Sequence, residues 1–177
     1  MDCSKIQNDP IDAGRSLWLH KKPVSDAIYS FKYKNKRYYG NVFGKELADK
    51  YGNLLKIWGI DEIIPVPIHK KRLKERGYNQ AEIIADEIGK MTGIPVLKDK
   101  IIRTKNTVPQ KALSDVQRVK NMKDAFKVSE DYTPGKNVLI IDDIYTTGTT
   151  IRHIAQIIKA KGGEKVFFLT ISIGQGI

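Results

Sequence analysis

VLIIDDIYTTGTT, running from Val138 to Thr150, decides how this chain reads. Its first four residues, Val138 to Ile141, are apolar without interruption, as in a strand covered on both faces within a parallel sheet. Asp142 and Asp143 therefore fall at the carboxyl end of that strand, the edge where ligands bind in open α/β sheets. Thr146, Thr147, Gly148, Thr149 and Thr150 then form a turn that leads into a helix. Gly148 lets the backbone approach an anion closely, the amides at the helix start point toward negative charge, and the threonine hydroxyls add donors. Two carboxylates repel a phosphate, so Asp142 and Asp143 need another partner, either sugar hydroxyls or a divalent cation. A phosphorylated ribose offers hydroxyls and phosphate at about the right separation. Neither a Walker A motif nor a GxGxxG fingerprint occurs anywhere, so the phosphate chemistry rests on this turn.

The segment resembles the binding signature for phosphoribosyl pyrophosphate (PRPP) of the type I phosphoribosyltransferases. That resemblance implies that Asp142 and Asp143 hold the ribose hydroxyls and that Thr146 to Thr150 hold the 5′ phosphate.

Upstream, Ile63 to Gln80 reads IIPVPIHKKRLKERGYNQ. Pro65 and Pro67 fix a stiff turn at a strand tip, where a cis bond before one of them is an option. His69, Lys70, Lys71, Arg72, Lys74 and Arg76 load that tip with positive charge. Alone, KKRLKER reads as a solvated charged turn. Beside the acidic pair, Arg72 and Arg76 become candidates for pyrophosphate, together with Val66 and Pro67.

The remaining sequence frames these two stretches. The chain has 177 residues, long enough for one buried α/β core and too short for two full domains. We read residues 1–24 as an N-terminal extension and 25–177 as the main domain. Lys plus Arg number 31 against 20 for Asp plus Glu, a formal +11, so anionic partners are expected. No apolar run reaches membrane-spanning length and no signal peptide is evident, so a cytoplasmic protein without membrane insertion is expected. With Cys3 as the single cysteine, an internal disulfide and a self-contained zinc site are excluded, and no metal ligand set is assigned.

Periodicity predicts two opening helices, one with Val24, Ala27, Ile28 and Phe31 and one with Tyr39, Phe43, Leu47, Tyr51 and Leu54 on their apolar faces. A strand at Glu62 to Val66, a basic loop, and a helix from about Tyr78 to Gly93 follow. Short strands are expected at Val96 and Leu97, at Lys100 to Arg103 and at Phe126 to Val128, with a helix from Ser114 to Asp124. Ile151, Ile154, Ala155 and Ile158 mark a helix after the threonine turn, and Lys165 to Ser172 a last strand. Strands alternating with helices give an α/β fold with a parallel sheet, helices on both faces and a small N-terminal helical appendage.

Three blocks together, IIPVPIHKKRLKERGYNQA, RTKNTVPQKALSDVQRVKNMKDAF and VLIIDDIYTTGTT, resemble the ComF family, also written ComF/GntX, of competence-associated phosphoribosyltransferase-like proteins. The likeness runs from about Ser25 to Ser172 and implies a type I phosphoribosyltransferase-like fold. It implies transfer of a phosphoribosyl group from PRPP, with Mg²⁺, to a nitrogenous acceptor. Asp142, Asp143, Arg103 and Lys105 are then the catalytic candidates, with Lys105 to Leu113 as a lid. Members usually begin with a zinc segment of paired CxxC motifs, of which only Cys3 has a counterpart here.

A second reading is a non-catalytic handler of single-stranded DNA, with helicase-type competence proteins as partners. In FKYKNKRYYG, Lys32, Lys34, Lys36 and Arg37 interleave with Tyr33 and other aromatics, a workable platform for stacked bases along a charged groove. The same aromatics could instead anchor the opening helices in the core. A PRPP-sensing regulator is a third reading.

Overall fold

The computed structural model describes residues 9–105 and 125–174. The expected helix at 114–124 and most of the expected lid lie outside them. Four parallel strands form the main sheet: β1 (Ala13–Leu19), β2 (Glu62–Pro65), and, after the antiparallel pair β3 (Ile101–Arg103) and β4 (Phe126–Val128), β5 (Asn137–Tyr145) and β6 (Lys165–Ile173). Their order is β1-β6-β5-β2. The helices are α1 (Val24–Tyr33), α2 (Tyr38–Trp58), α3 (Lys70–Arg76), α4 (Gln80–Thr92) and α5 (Thr149–Ala160).

β5 and β6 are central because their runs VLII and VFFL are apolar on both faces, and Val138, Leu139, Ile140 and Ile141 are all fully buried. One face packs Leu139, Ile141, Phe167 and Leu169 against α1, α2 and α4, through Phe31, Leu47, Leu55, Ile84 and Ile88. The other packs Val138, Ile140, Val166 and Phe168 against α5, through Ile151, Ile154, Ala155 and Ile158. That apolar stripe on α5 follows the expected spacing. Helices thus cover both faces of a parallel sheet, the expected α/β architecture.

Several elements differ from the sequence reading. Among the described residues the fold opens on a strand, not on helices: β1 comes first and pairs in parallel with β6 from Ala13↔Phe167 to Leu19↔Ile173. A stretch assigned to the N-terminal extension therefore supplies an edge strand of the sheet. Only Leu17 of its seven residues is buried, so the strand carries little apolar signal. The basic loop is a helix, α3, whose N-cap His69 accepts a bond from the Lys71 amide at 3.2 Å. No residue of α3 is buried, which is why periodicity missed it. Val96 and Leu97 form no strand, only a single bridge from Val96 to Ile63. Both Pro65 and Pro67 are trans; the cis bond among the described residues is Lys22–Pro23.

β5 also runs four residues beyond Ile141, because Asp142 pairs with Thr170, Ile144 with Ser172 and Tyr145 with Ile173. The acidic pair thus sits on paired, rigid backbone rather than on a free loop.

Candidate active site at the carboxyl edge of the sheet

A hollow of about 360 Å³ opens at the ends of β2 and β5. Asp142 and Asp143, Thr146 to Thr150, Val66, Arg72, Arg76, Arg103 and Lys32 all line it. Each group arrives by a separate local cause.

The acids are held by their own backbone and by α1. The Asp143 amide donates to Asp142 Oδ1 at 2.8 Å, and Lys32 Nζ donates to Asp143 Oδ1 at 2.8 Å. Both partners of this ion pair are mostly shielded, with 19% and 14% of their side chains exposed. Lys32 is fixed because its neighbour Phe31 is fully buried and offers its carbonyl to the Tyr78 hydroxyl. Asp142 is pushed up to about 7, first by burial and then by the Asp143 charge, with the Asp143 amide, Lys32 and Arg103 pulling the other way. Arg103 is pushed below its usual range by burial and then by Arg72, and Asp142 opposes the shift. Two guanidinium groups therefore face the hollow close enough to repel, an arrangement that favours an anion between them.

The threonine turn is shaped by Gly148, the N-cap of α5, at φ +72 in the left-handed region. A Cβ there would lie 2.3 Å from the Tyr145 hydroxyl oxygen. Gly148 has no side chain to cap α5; the Thr149 amide reaches the Thr147 hydroxyl at 3.5 Å, and the next amides of the first turn stay available to a ligand. Thr147 and Thr149 hydroxyls meet at 2.8 Å. Arg152 braces the turn from below, donating to the Thr147 carbonyl at 2.6 Å and to Asp9 at 3.1 Å.

The hollow gathers Asp142, Asp143, Arg103, Val66, Arg72, Arg76 and all five turn residues. It does not gather everything. Pro67 is absent from its lining and Ile68 stands there instead. The Val66 amide is spent on the Ile141 carbonyl at 2.9 Å, so no backbone donor remains at that residue. Lys105 is exposed and outside the lining.

The aromatic and basic stretch divides. Lys32 and Tyr33 line the hollow, whereas Lys34 and Lys36 are exposed away from it. Arg37 lies over the Tyr78 ring at 4.8 Å. Phe31 is core, and Tyr39 stacks on Phe43 at 5.7 Å. Sequence reasoning missed the pairing of Lys32 with Asp143 and the brace from Arg152. A base in the first turn of a helix runs against the helix dipole, and that was the available signal for Arg152.

Among the described residues no group of three or more His, Cys, Asp or Glu stands ready to hold a metal, and no helix is long and apolar enough to cross a membrane.

Residues 73–172 match the phosphoribosyl transferase domain family. The chain is 32% identical over 152 residues to "Competence protein F" of Haemophilus influenzae, covering 82% of this chain and 66% of that one. It is 27% identical over 147 residues to "DNA utilization protein YhgH" of Escherichia coli K12, covering 81% and 64%. To "Competence protein ComFC" of Bacillus subtilis it is 25% identical over 153 residues, covering 84% and 58%. The chain thus spans at most about two thirds of the length of these relatives. With that match across more than half its residues, and with the acidic pair and threonine turn inside the matched span, the chain belongs to the phosphoribosyl transferase domain family as a ComF-like member.

Proposed function

We propose that this protein binds PRPP with Mg²⁺ and transfers its phosphoribosyl group to a nitrogenous acceptor, releasing pyrophosphate. The observation that carries the reading is the single hollow in which two carboxylates, an uncapped helix start with threonine hydroxyls, and Arg72, Arg76 and Arg103 converge. Asp142 and Asp143 accept from the two ribose hydroxyls. Thr146 to Thr150 and the first amides of α5 hold the 5′ phosphate. Arg76 and Arg103 face the leaving pyrophosphate and stabilise charge that grows as the glycosidic bond stretches. The paired backbone under the acids keeps the sugar oriented, which is worth as much as charge in such a displacement. Two carboxylates, one already paired with Lys32, do not make a protein cage for a metal, so magnesium fits as a part of the substrate, on its pyrophosphate oxygens. There it would neutralise the leaving group.

The test is pyrophosphate release from PRPP across a panel of nitrogen bases. Release that needs both Mg²⁺ and an acceptor supports transfer. PRPP binding without release with any acceptor would contradict it.

A second reading, handling of single-stranded DNA, is favoured by one specific observation. Tyr29 and Tyr33 are 56% and 65% exposed with ring centroids 4.9 Å apart, beside exposed Lys34 and Lys36. Such a surface suits stacked bases and a phosphate chain. Helicase-type competence proteins would then be partners. Fluorescence anisotropy with an oligonucleotide over a salt series tests it.

A further inference from the structure

A second hollow, of about 510 Å³, adjoins the first between the end of α1 and α3. Lys32, Tyr33, Arg72 and Arg76 line both, so the two hollows adjoin at these residues, while Asn35 and Glu75 line only the second. A molecule seated there meets the sugar site at these shared side chains.

Resting on the transfer reading above, we propose that this second hollow seats the acceptor and selects a planar aromatic ring bearing a carboxylate.

The chemistry of the lining makes the selection. Three cations face one carboxylate, Glu75. Lys32 is committed to Asp143, and Arg76 is held by the Gln80 side chain and lies 5.4 Å from the Tyr33 ring centre. Arg72 makes no hydrogen bond or ion pair among the described residues. Its planar guanidinium remains for a ligand, and a carboxylate is the group that takes it in bidentate fashion. An uncharged base needs acceptors as well as donors on its walls, and this wall is mostly donors. Tyr33 adds an exposed aromatic surface beside them for a flat ring. In the transfer, the ring nitrogen lone pair forms a bond to the anomeric carbon as the carbon–oxygen bond to pyrophosphate breaks and its electron pair departs with pyrophosphate. Where that nitrogen carries a proton, the proton leaves to water.

The experiment is calorimetric titration of the full chain, saturated with ribose 5-phosphate, using matched pairs: nicotinate against nicotinamide, and orotate against uracil. Each carboxylate should bind roughly ten-fold tighter than its uncharged partner, the gain of one charge-assisted contact. Glu75→Gln should tighten carboxylate binding about three-fold and Asn35→Asp weaken it about as much, as partly exposed charges do. Both should move ribose 5-phosphate affinity less, since neither side chain lines the first hollow. Normal ribose 5-phosphate binding with no preference for the carboxylates, or carboxylate affinities unmoved by both substitutions, would overturn the proposal. Failure of ribose 5-phosphate itself to bind would instead bring down the sugar-site reading, and this one with it.

Discussion

Asp142 shows how one residue can serve a site at a cost to the fold. Its carboxyl is pushed up to about 7, above its ordinary 3.8, mainly by burial. The folded protein therefore holds a proton that the unfolded chain releases near pH 4, so the contribution of this group to stability falls as pH rises from about 4 to about 7. Asp142→Asn removes the titration. Its melting temperature should exceed that of the native chain at pH 8 by roughly 4 °C, the shift expected for about 1–2 kcal/mol in a domain of this size, with little difference at pH 4.5. Thermal melts at the two pH values check this. An ionised carboxylate accepts from a ribose hydroxyl where a protonated one must share, so PRPP affinity should rise between pH 6 and pH 8. Gly148→Ala tests the turn. The left-handed φ and the collision with the Tyr145 hydroxyl should weaken PRPP binding at least about ten-fold, with a stability loss of about 1–3 kcal/mol read by urea melts.

At the scale of elements, the start of α4 ties the basic side of the hollow to the sheet. Asn79 is nearly buried, caps α4 through the Ala81 amide at 3.1 Å, and donates to the Val66 carbonyl at 3.0 Å. Asn79→Ala removes the cap and leaves the Val66 carbonyl without that donor. Chemical denaturation should show a loss of about 2 kcal/mol. The sequence disclosed elements whose burial repeats along the chain. β5 was legible because Val138 to Ile141 carries no polar break, and α5 because its stripe has helical spacing. β1 was not, since an edge strand with one buried residue has no periodicity to read. α3 was not, since Leu73 is the one apolar residue in KKRLKER and it stays exposed. In the site, the acids and the threonine turn were legible as a contiguous motif. The Lys32–Asp143 pair spans 111 positions, and no local pattern encodes a contact made by packing Phe31 into a distant core.

Across the whole molecule, a formal +11 exceeds what one small anion requires. Charge of this kind attracts polyanions through counterion release, whose signature is a steep loss of affinity with salt. If the Tyr29 and Tyr33 surface handles single strands, oligonucleotide affinity should fall at least about ten-fold between 50 mM and 200 mM salt. Asp142→Asn with Asp143→Asn should leave that binding in place. Equal loss of DNA and PRPP binding in this variant would show that one surface serves both.

The central claim is that the acidic pair and the threonine turn together grip a phosphorylated sugar, and isothermal titration of PRPP with Mg²⁺ tests it most directly. The native chain should bind with one site per chain, and the variant Asp142→Asn with Asp143→Asn should show no measurable binding while its melting curve stays cooperative. Equal affinity in the two proteins, or no binding by the native chain, would contradict the account.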